Sequence, residues 1–128
     1  MAAAAVVALS GFAGVSAPAD DALHTLTWGG NTWGQSGTGL GPGEFLAEPA
    51  LVLEPTGASF LTVSVSVDHG LGIAPDGSVW AWGQNEYGAL GAEPAALPSS
   101  ATPVPVSPLP EGRYIEVGAG EYWSAALR

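Results

Sequence analysis

Residues 28–34 read Trp-Gly-Gly-Asn-Thr-Trp-Gly, and residues 82–88 read Trp-Gly-Gln-Asn-Glu-Tyr-Gly, at an offset of 54 positions. Other matching residues keep the same offset: Gly37 and Gly91, Pro49 and Pro103, Val52 and Val106, Val63 and Val117, and the aromatic pair Phe60 and Tyr114. Because several separated segments share one register, the chain contains an internal structural repeat.

The composition indicates an all-β protein. The 128 residues include 19 glycines and 11 prolines, which recur between short runs rich in valine, leucine and tryptophan. Few stretches carry helical periodicity, and most apolar runs end at a turn-forming residue. The glycines are therefore interpreted as ordered β-turns.

The charge of the chain restricts its partners. Twelve acidic residues face two basic ones, Arg113 and Arg128, and there is no lysine, which gives a net charge of −10. A nucleic-acid surface needs several basic side chains to displace counterions from phosphates, so we expect no nucleic-acid partner. The acidic charge fits a solvated surface, or steering of a basic protein partner.

The first residues have two interpretations. The apolar run in residues 2–14, followed by Ala-Pro-Ala at 17–19, is typical of a secretory signal, although no basic residue precedes it. On this interpretation residues 1–19 are removed, no membrane insertion remains, and the protein is secreted, periplasmic or at the cell surface. Alternatively, residues 14–18 are a degenerate copy of residues 70–74, and the protein is cytoplasmic.

The second copy predicts a β-hairpin. Strands are expected at 60–67, 71–73 and 79–82, with Pro75-Asp76-Gly77 as the turn between the last two. In the first strand Val63, Val65 and Val67 share one face and serines the other, so a half-buried strand is expected. Residues 103–106 alternate proline and valine, which restricts them to an edge strand or an extended connector.

Residues 20–128 divide into partial repeats, with copies near 23–59 and 60–113 and the start of a third at 114–128. About two repeats cannot bury both of their stacking faces. We therefore expect a fragment of a longer protein or an assembly of copies, and the isolated chain is expected to be marginally stable, aggregating or oligomeric.

The repeat resembles that of the regulator of chromosome condensation family, of a bacterial type. The similarity covers residues 23–128 and rests on three stretches: Val117-Gly-Ala-Gly120 followed by Ser124-Ala-Ala-Leu127, then residues 75–85, then Gly88-Ala-Leu-Gly91. His69 occupies the family's histidine position, where the third copy has Trp123. Ser66 and residues 35–36 depart from the family pattern. The resemblance implies a β-propeller of four-stranded antiparallel blades, of which this chain supplies about two.

Asp68-His69 is the one dipeptide that suggests catalysis or metal binding. A catalytic triad needs a nucleophile beside the base, and a metal needs three or four convergent ligands. The sequence has no cysteine, and neither of its two histidines has a second ligand at metal spacing. We expect no metal, no cofactor and no catalytic residue. His69 is expected to satisfy a backbone group, and His24 to be a lone strand residue.

Aromatic residues in loops are the better candidates for a partner-binding site. Trp33 and Tyr87 occupy equivalent positions after Trp-Gly-x-Asn, and Tyr122-Trp123 fill the loop that holds Asp68 in the preceding copy. Tyrosine and tryptophan provide large rigid contact areas at interfaces. Packing between blades is the alternative role for each of them.

The sequence therefore predicts a non-enzymatic propeller segment that serves as a scaffold for an unknown protein partner. Two alternatives stay open. One is a guanine-nucleotide exchange factor-like regulator of a small GTPase, as the founding family member implies. The other is a secreted enzyme-inhibitor propeller, since secreted bacterial members that inhibit β-lactamases look similar around Tyr122. An enzyme or a sialidase-like lectin is disfavoured because two arginines cannot form the arginine cluster that it needs.

Overall fold

A computed structural model describes residues 24–55 and 59–128. In these residues there are eight β-strands and no α-helix: β1 (Leu26–Asn31), β2 (Glu44–Leu51), β3 (Thr62–Val65), β4 (His69–Ile73), β5 (Val79–Gln84), β6 (Ser99–Pro105), β7 (Glu116–Ala119) and β8 (Ser124–Leu127). The described residues therefore contain no helix that is long and apolar enough to cross a membrane. The predicted signal at residues 1–19 lies outside the described ranges.

One complete blade forms the centre of the fold. Its four strands pair antiparallel in the order β3-β4-β5-β6. The predicted turn joins β4 to β5, where the Gly77 amide donates to the Ala74 carbonyl at 2.9 Å and Gly77 has a φ of 86°. A side chain rarely adopts that φ, so glycine suits the turn. The all-β class and the four-stranded antiparallel blade are confirmed.

The first strand of the blade differs from its prediction. β3 covers only 62–65, and Val63, Val65 and Val67 are 42%, 64% and 74% exposed. The serine face lies against the protein instead, because the Oγ of Ser64 accepts a hydrogen bond from the Ala119 amide of β7 at 3.0 Å. The other two strands extend beyond their predicted ends, to His69 at the start of β4 and Gln84 at the end of β5.

β6 is an edge strand, which is one of the two alternatives that its prolines allowed. It pairs with β5 on one side only, with Pro105 opposite Trp80 and Val104 opposite Ala81. Proline cannot donate to a second neighbour, so an outer position accommodates residues 103–105 without a lost hydrogen bond. The proline-rich segment therefore ends the blade on this side.

The flanking sheets are halves of blades. β1–β2 precede the complete blade and correspond, 54 residues earlier, to β5–β6, while β7–β8 follow it and correspond to β3–β4. The same buried asparagine orders the loop after each Trp-Gly pair. Asn31 accepts from the Ser36 amide and donates to two carbonyls, and Asn85 does the same with the Leu90 amide. The repeat in the sequence therefore corresponds to the same set of side-chain hydrogen bonds in both copies.

Trp82 joins the first copy to the second. Its side chain is 1% exposed and stacks on Phe60 with ring centroids 5.5 Å apart. Its indole Nε1 donates to the Gln35 carbonyl of the first copy at 2.8 Å, and Val52 of that copy belongs to the same apolar cluster. This cluster lies between the first and second copies. A second cluster around Leu71, Ala81 and Leu90 joins the blade to β7.

Candidate functional site

Two of the predicted aromatic residues meet at the surface. Tyr87 lies in the loop after β5 and Tyr122 in the loop between β7 and β8, with ring centroids 4.8 Å apart and planes tilted by 57°. Tyr87 is 63% exposed and Tyr122 49% exposed. Because the two rings come from different repeats, the pair forms a continuous aromatic surface across the junction between them. We call this surface the tyrosine rim.

Three carboxylates surround the tyrosine rim. Asp68, Glu86 and Glu121 line a shallow cleft together with both tyrosines, and no basic side chain lines it apart from the buried His69. A hydrogen bond from the Tyr122 phenol to the Glu121 carboxylate raises the pKa of Tyr122, and the negative charges of Glu121 and Asp68 raise it further. The tyrosine rim is therefore acidic as well as aromatic.

The other two candidates lie apart from this pair. Trp33 is 42% exposed in the loop of the first copy, where its amide donates to the Gln35 side chain at 2.8 Å, and it lines neither this cleft nor the adjacent groove. Trp123 is 61% exposed and lines the apolar groove next to Tyr122. The structure thus brings Asp68, Tyr87, Tyr122 and Trp123 to one side of the blade, and Trp33 to the preceding loop.

His69 is buried and bonded to hydroxyls, which corrects the expectation of a backbone partner. The side chain is 1% exposed. Its Nδ1 lies 3.0 Å from the Ser66 Oγ, and its Nε2 lies 2.9 Å from the Ser124 Oγ of β8. The Ser124 hydroxyl donates to the Ala89 carbonyl at 2.7 Å, so the imidazole Nε2–H donates to Ser124. His69 therefore forms a hydrogen bond that links the second copy to the third.

His69 does not have the surroundings of a catalytic base. The Ser124 hydroxyl is held between His69 and a carbonyl, and the other imidazole nitrogen faces a serine rather than the orienting carboxylate of a triad. No three His, Asp or Glu side chains in the described ranges converge on a point that could hold a metal. The sequence predicted His24 in a strand, but it lies before the start of β1. Its Nδ1 is 3.5 Å from the Glu54 carboxylate.

The buried histidine predicts a loss of stability on acidification. Burial lowers the pKa of His69 below 6.5, and the charge of Asp68 only partly opposes this. Below pH 6.5 the unfolded chain therefore binds a proton that the folded chain does not, so the free energy of unfolding falls as the pH drops from 7.5 through 6.5. It levels off once the pH is below the lowered pKa. Urea unfolding at a series of pH values measures this slope.

The matched control is His69→Gln, which removes the titrating group but keeps His24 and all carboxylates. Its free energy of unfolding should depend less on pH between 7.5 and 5.5 than that of the wild type. Equal slopes in the two proteins would contradict the assignment of a neutral, buried His69.

Sequence reasoning missed the acidic partners of the tyrosines and the serine partners of the histidine. The dipeptide Glu-Tyr occurs at 86–87 and again at 121–122, and this repetition was a usable signal for the carboxylates of the tyrosine rim. Ser124 carried no such signal, because its bond to His69 joins residues 55 positions apart.

Comparison with protein families identifies the repeat. Residues 76–127 match the regulator of chromosome condensation (RCC1) repeat, and residues 60–89 match a second description of the same repeat. A curated relative, the X-linked retinitis pigmentosa GTPase regulator homolog of Caenorhabditis elegans, is 40% identical over 63 residues, which covers 47% of this chain and 4% of the relative. These matches support the RCC1 repeat family, but they do not support the expected bacterial type of the repeat.

Comparison with solved structures places the fold. Prp20p from Saccharomyces cerevisiae, described with its binding properties to Gsp1p and histones, has a TM-score of 0.68 at 21% identity, with 80% of this chain and 26% of that chain covered. Human WBSCR16 has a TM-score of 0.63 at 23% identity, with 81% and 25% covered. This chain spans about a quarter of each of these proteins. At this level of identity, the similarity shows that the chain shares their fold.

Proposed function

Because the chain belongs to the regulator of chromosome condensation (RCC1) repeat family over residues 60–127, we propose that it is a non-enzymatic propeller segment that binds a protein partner through the tyrosine rim. The observation that carries the proposal is the Tyr87–Tyr122 pair, an exposed aromatic contact between two repeats. Exposed tyrosines are common anchors of protein interfaces.

The chemistry of the tyrosine rim favours a basic partner. Asp68, Glu86 and Glu121 lie around the rings, and the protein as a whole has a net charge of −10. Lysine and arginine side chains of a partner can pair with the carboxylates while their alkyl stems or guanidinium planes cover the tyrosine rings. Histones are the natural first probe, since Prp20p is described as binding them.

Replacement of Tyr122 by alanine should weaken partner binding and leave folding nearly unchanged. A central aromatic anchor costs about 2 kcal/mol or more when truncated, which is about a 30-fold rise in Kd. Because Tyr122 is 49% exposed, the melting temperature should change little. Titration of histones onto the immobilised protein, with melting followed by circular dichroism, measures both effects.

Phe45→Ala is the matched control, because Phe45 is an aromatic residue that is 76% exposed on β2 and lines neither the cleft at the tyrosine rim nor the adjacent groove. It should change neither affinity nor melting. If Tyr122→Ala lowers the melting temperature as far as Trp82→Ala does, Tyr122 is a packing residue, and the proposed interface fails. Unchanged affinity in Tyr122→Ala would overturn it equally.

Regulation of a small GTPase is the second candidate. The names of two relatives support it, a GTPase regulator homolog and a protein described with its binding to Gsp1p. The test is nucleotide release from a GDP-loaded small GTPase, with and without this protein. Accelerated release that Tyr122→Ala abolishes would place this activity at the tyrosine rim, whereas an unchanged rate would leave binding alone.

Secretion is a separate proposal that rests on the sequence of residues 1–19. Its test is the amino-terminal sequence of the protein recovered from the medium or periplasm. A mature start near Asp20 supports a cleaved signal. Retention of Met1 in a cytoplasmic protein would favour the alternative, a degenerate earlier repeat.

A further inference from the structure

A hydrogen bond between two repeats lies directly beside the tyrosine rim. The Ser124 hydroxyl donates to the Ala89 carbonyl at 2.7 Å. Each of these residues stands two positions after one of the tyrosines of the rim. The Ser124 oxygen also lies 2.9 Å from the Nε2 of the buried His69. The loop that carries Tyr122 is therefore held against the loop that carries Tyr87, and the ring contact is part of an ordered junction.

The two rings are nearly as close as rings that share a covalent bond. The centroids of Tyr87 and Tyr122 lie 4.8 Å apart, near the short end of the range of about 4.5–7 Å for aromatic pairs. Two phenols joined by one carbon–carbon bond have a similar centroid separation, and their planes are twisted against each other, as these are by 57°. The terminal torsion of a tyrosine turns easily, so rings this exposed can bring their edges together.

Glu121 supplies a base at one of the two phenols. Its carboxylate accepts a hydrogen bond from the Tyr122 hydroxyl, and this bond and the charge of Glu121 raise the pKa of Tyr122. The phenol is therefore protonated at neutral pH, with its proton directed at a carboxylate. A phenol that loses an electron becomes a strong acid, and a base within hydrogen-bond reach that takes the proton makes the loss easier. Oxidation of the pair is expected to begin at Tyr122.

We propose that Tyr87 and Tyr122 form an oxidative cross-linking site, at which a haem peroxidase with hydrogen peroxide joins the second repeat to the third through a dityrosine. Each phenol gives up one electron and its hydroxyl proton; the proton of Tyr122 passes to Glu121, and that of Tyr87 passes to water. The two phenoxyl radicals couple through ring carbons next to the oxygens. The hydrogen on each coupled carbon then moves to the oxygen of its own ring, which restores both phenols. Hydrogen peroxide takes up the two electrons and two protons and becomes two molecules of water.

The link would give this chain a covalent connection between repeats that it has no other means to form. The sequence has no cysteine, so no disulfide can cross the junction. The linked residues enclose a segment that contains β6 and β7. The third tyrosine of the chain, Tyr114, is 7% exposed and donates its hydroxyl to the Pro110 carbonyl at 3.0 Å, so it is shielded from an oxidant.

Trypsin detects the link directly, because the chain has two basic residues and no lysine. Cleavage after Arg113 separates residues 1–113, which contain Tyr87, from residues 114–128, which contain Tyr122. Dilute protein is treated with peroxidase and hydrogen peroxide, denatured and digested. We expect the two fragments to stay joined, with the sum of their masses less two hydrogens, and the undigested protein to run as a monomer. Complete separation of the fragments, or a product that links two copies instead, would overturn the proposal.

Phenylalanine variants identify the linked rings. Tyr87→Phe and Tyr122→Phe keep a ring but remove the phenol, so each should abolish the joined fragments. Tyr114→Phe is the matched control, because Tyr114 lies on the same tryptic fragment as Tyr122. Its joined fragments should persist. Joined fragments that survive Tyr122→Phe and disappear in Tyr114→Phe would assign the link to the wrong ring and contradict the site.

Glu121→Gln tests the role of the base. Glutamine can accept the phenol hydrogen bond but cannot take up the proton, so the cross-link should form several-fold more slowly at neutral pH. Glu116→Gln makes the same change of charge at an exposed position of β7 that does not line the cleft at the tyrosine rim, and it should keep the wild-type rate. Equal rates in the two variants would overturn the assignment of Glu121 as the proton acceptor.

Urea unfolding tests whether the native junction accommodates the bond. A cross-link restricts the unfolded chain more than the folded chain, so the cross-linked monomer should unfold at a higher urea concentration than the untreated protein. Tyr122→Phe treated with the same oxidant controls for oxidation of other side chains and should show no rise. A cross-linked protein no more stable than this control would show that the bond forms only in a distorted junction, which would overturn a prearranged site.

These measurements involve no protein partner. A failure of the proposed interface at the tyrosine rim would therefore leave the cross-link in place, and a failure of the cross-link would leave histone binding unaffected.

Discussion

Replacement of Trp82 by alanine is expected to lower the free energy of unfolding by about 3–5 kcal/mol. The side chain is 1% exposed, stacks on Phe60 and donates its indole N–H to the Gln35 carbonyl. Alanine leaves a cavity between two repeats and an unpaired carbonyl beside it. Urea unfolding followed by far-ultraviolet circular dichroism measures the loss.

Trp82→Phe separates the contribution of ring packing from that of the indole hydrogen bond. Trp33→Ala is the control for loss of an exposed tryptophan. Phenylalanine keeps a ring against Phe60 but has no N–H for Gln35, so its stability should lie between those of the wild type and Trp82→Ala. Trp33 is 42% exposed, and its replacement by alanine should cost less than about 1 kcal/mol. Comparable losses from Trp33→Ala and Trp82→Ala would contradict the packing described between the copies.

Replacement of Asn85 by alanine should cost about 3 kcal/mol or more. Asn85 is 0% exposed; its amide donates to the Leu97 carbonyl at 2.7 Å and the Ala92 carbonyl at 3.0 Å, and its Oδ1 accepts from the Leu90 amide at 2.8 Å. Alanine leaves all three backbone groups without this partner, and each buried unsatisfied group costs about 1–3 kcal/mol. Chemical unfolding of the variant measures the total.

Asn85→Asp tests whether hydrogen bonding rather than volume is responsible. Aspartate has nearly the same size, but its second oxygen would face the two carbonyls that the amide now donates to. It should therefore be at least as destabilising as alanine. Gln84→Ala, next to Asn85, removes a side chain whose Nε2 donates to the Glu86 carboxylate at 3.1 Å, and it should change stability by less than about 0.5 kcal/mol. A stable Asn85→Asp would contradict the hydrogen-bond explanation.

The aromatic candidates show how much of a binding site a sequence pattern can predict. Equivalent positions after Trp-Gly-x-Asn identified Tyr87, and the loop of the third copy identified Tyr122, but nothing in the pattern indicated that their rings lie 4.8 Å apart. That distance depends on how two repeats stack. Trp33 satisfies the same pattern as Tyr87 and lies in a different loop, because the repeat position fixes a place within a blade and not a place relative to other blades.

The sequence by itself determined the repeat, the all-β class and the hairpin turn at 75–77, and it restricted the proline-rich segment to an edge strand or an extended connector. These features follow from local chemistry: glycine and proline restrict backbone angles, and a repeated residue pattern repeats its contacts. Only the tertiary structure decided which face of β3 is covered, that His69 bonds to Ser124, and that carboxylates surround the tyrosines. Each of these depends on the distance between residues of different copies, and chain order does not encode that distance until the blades pack.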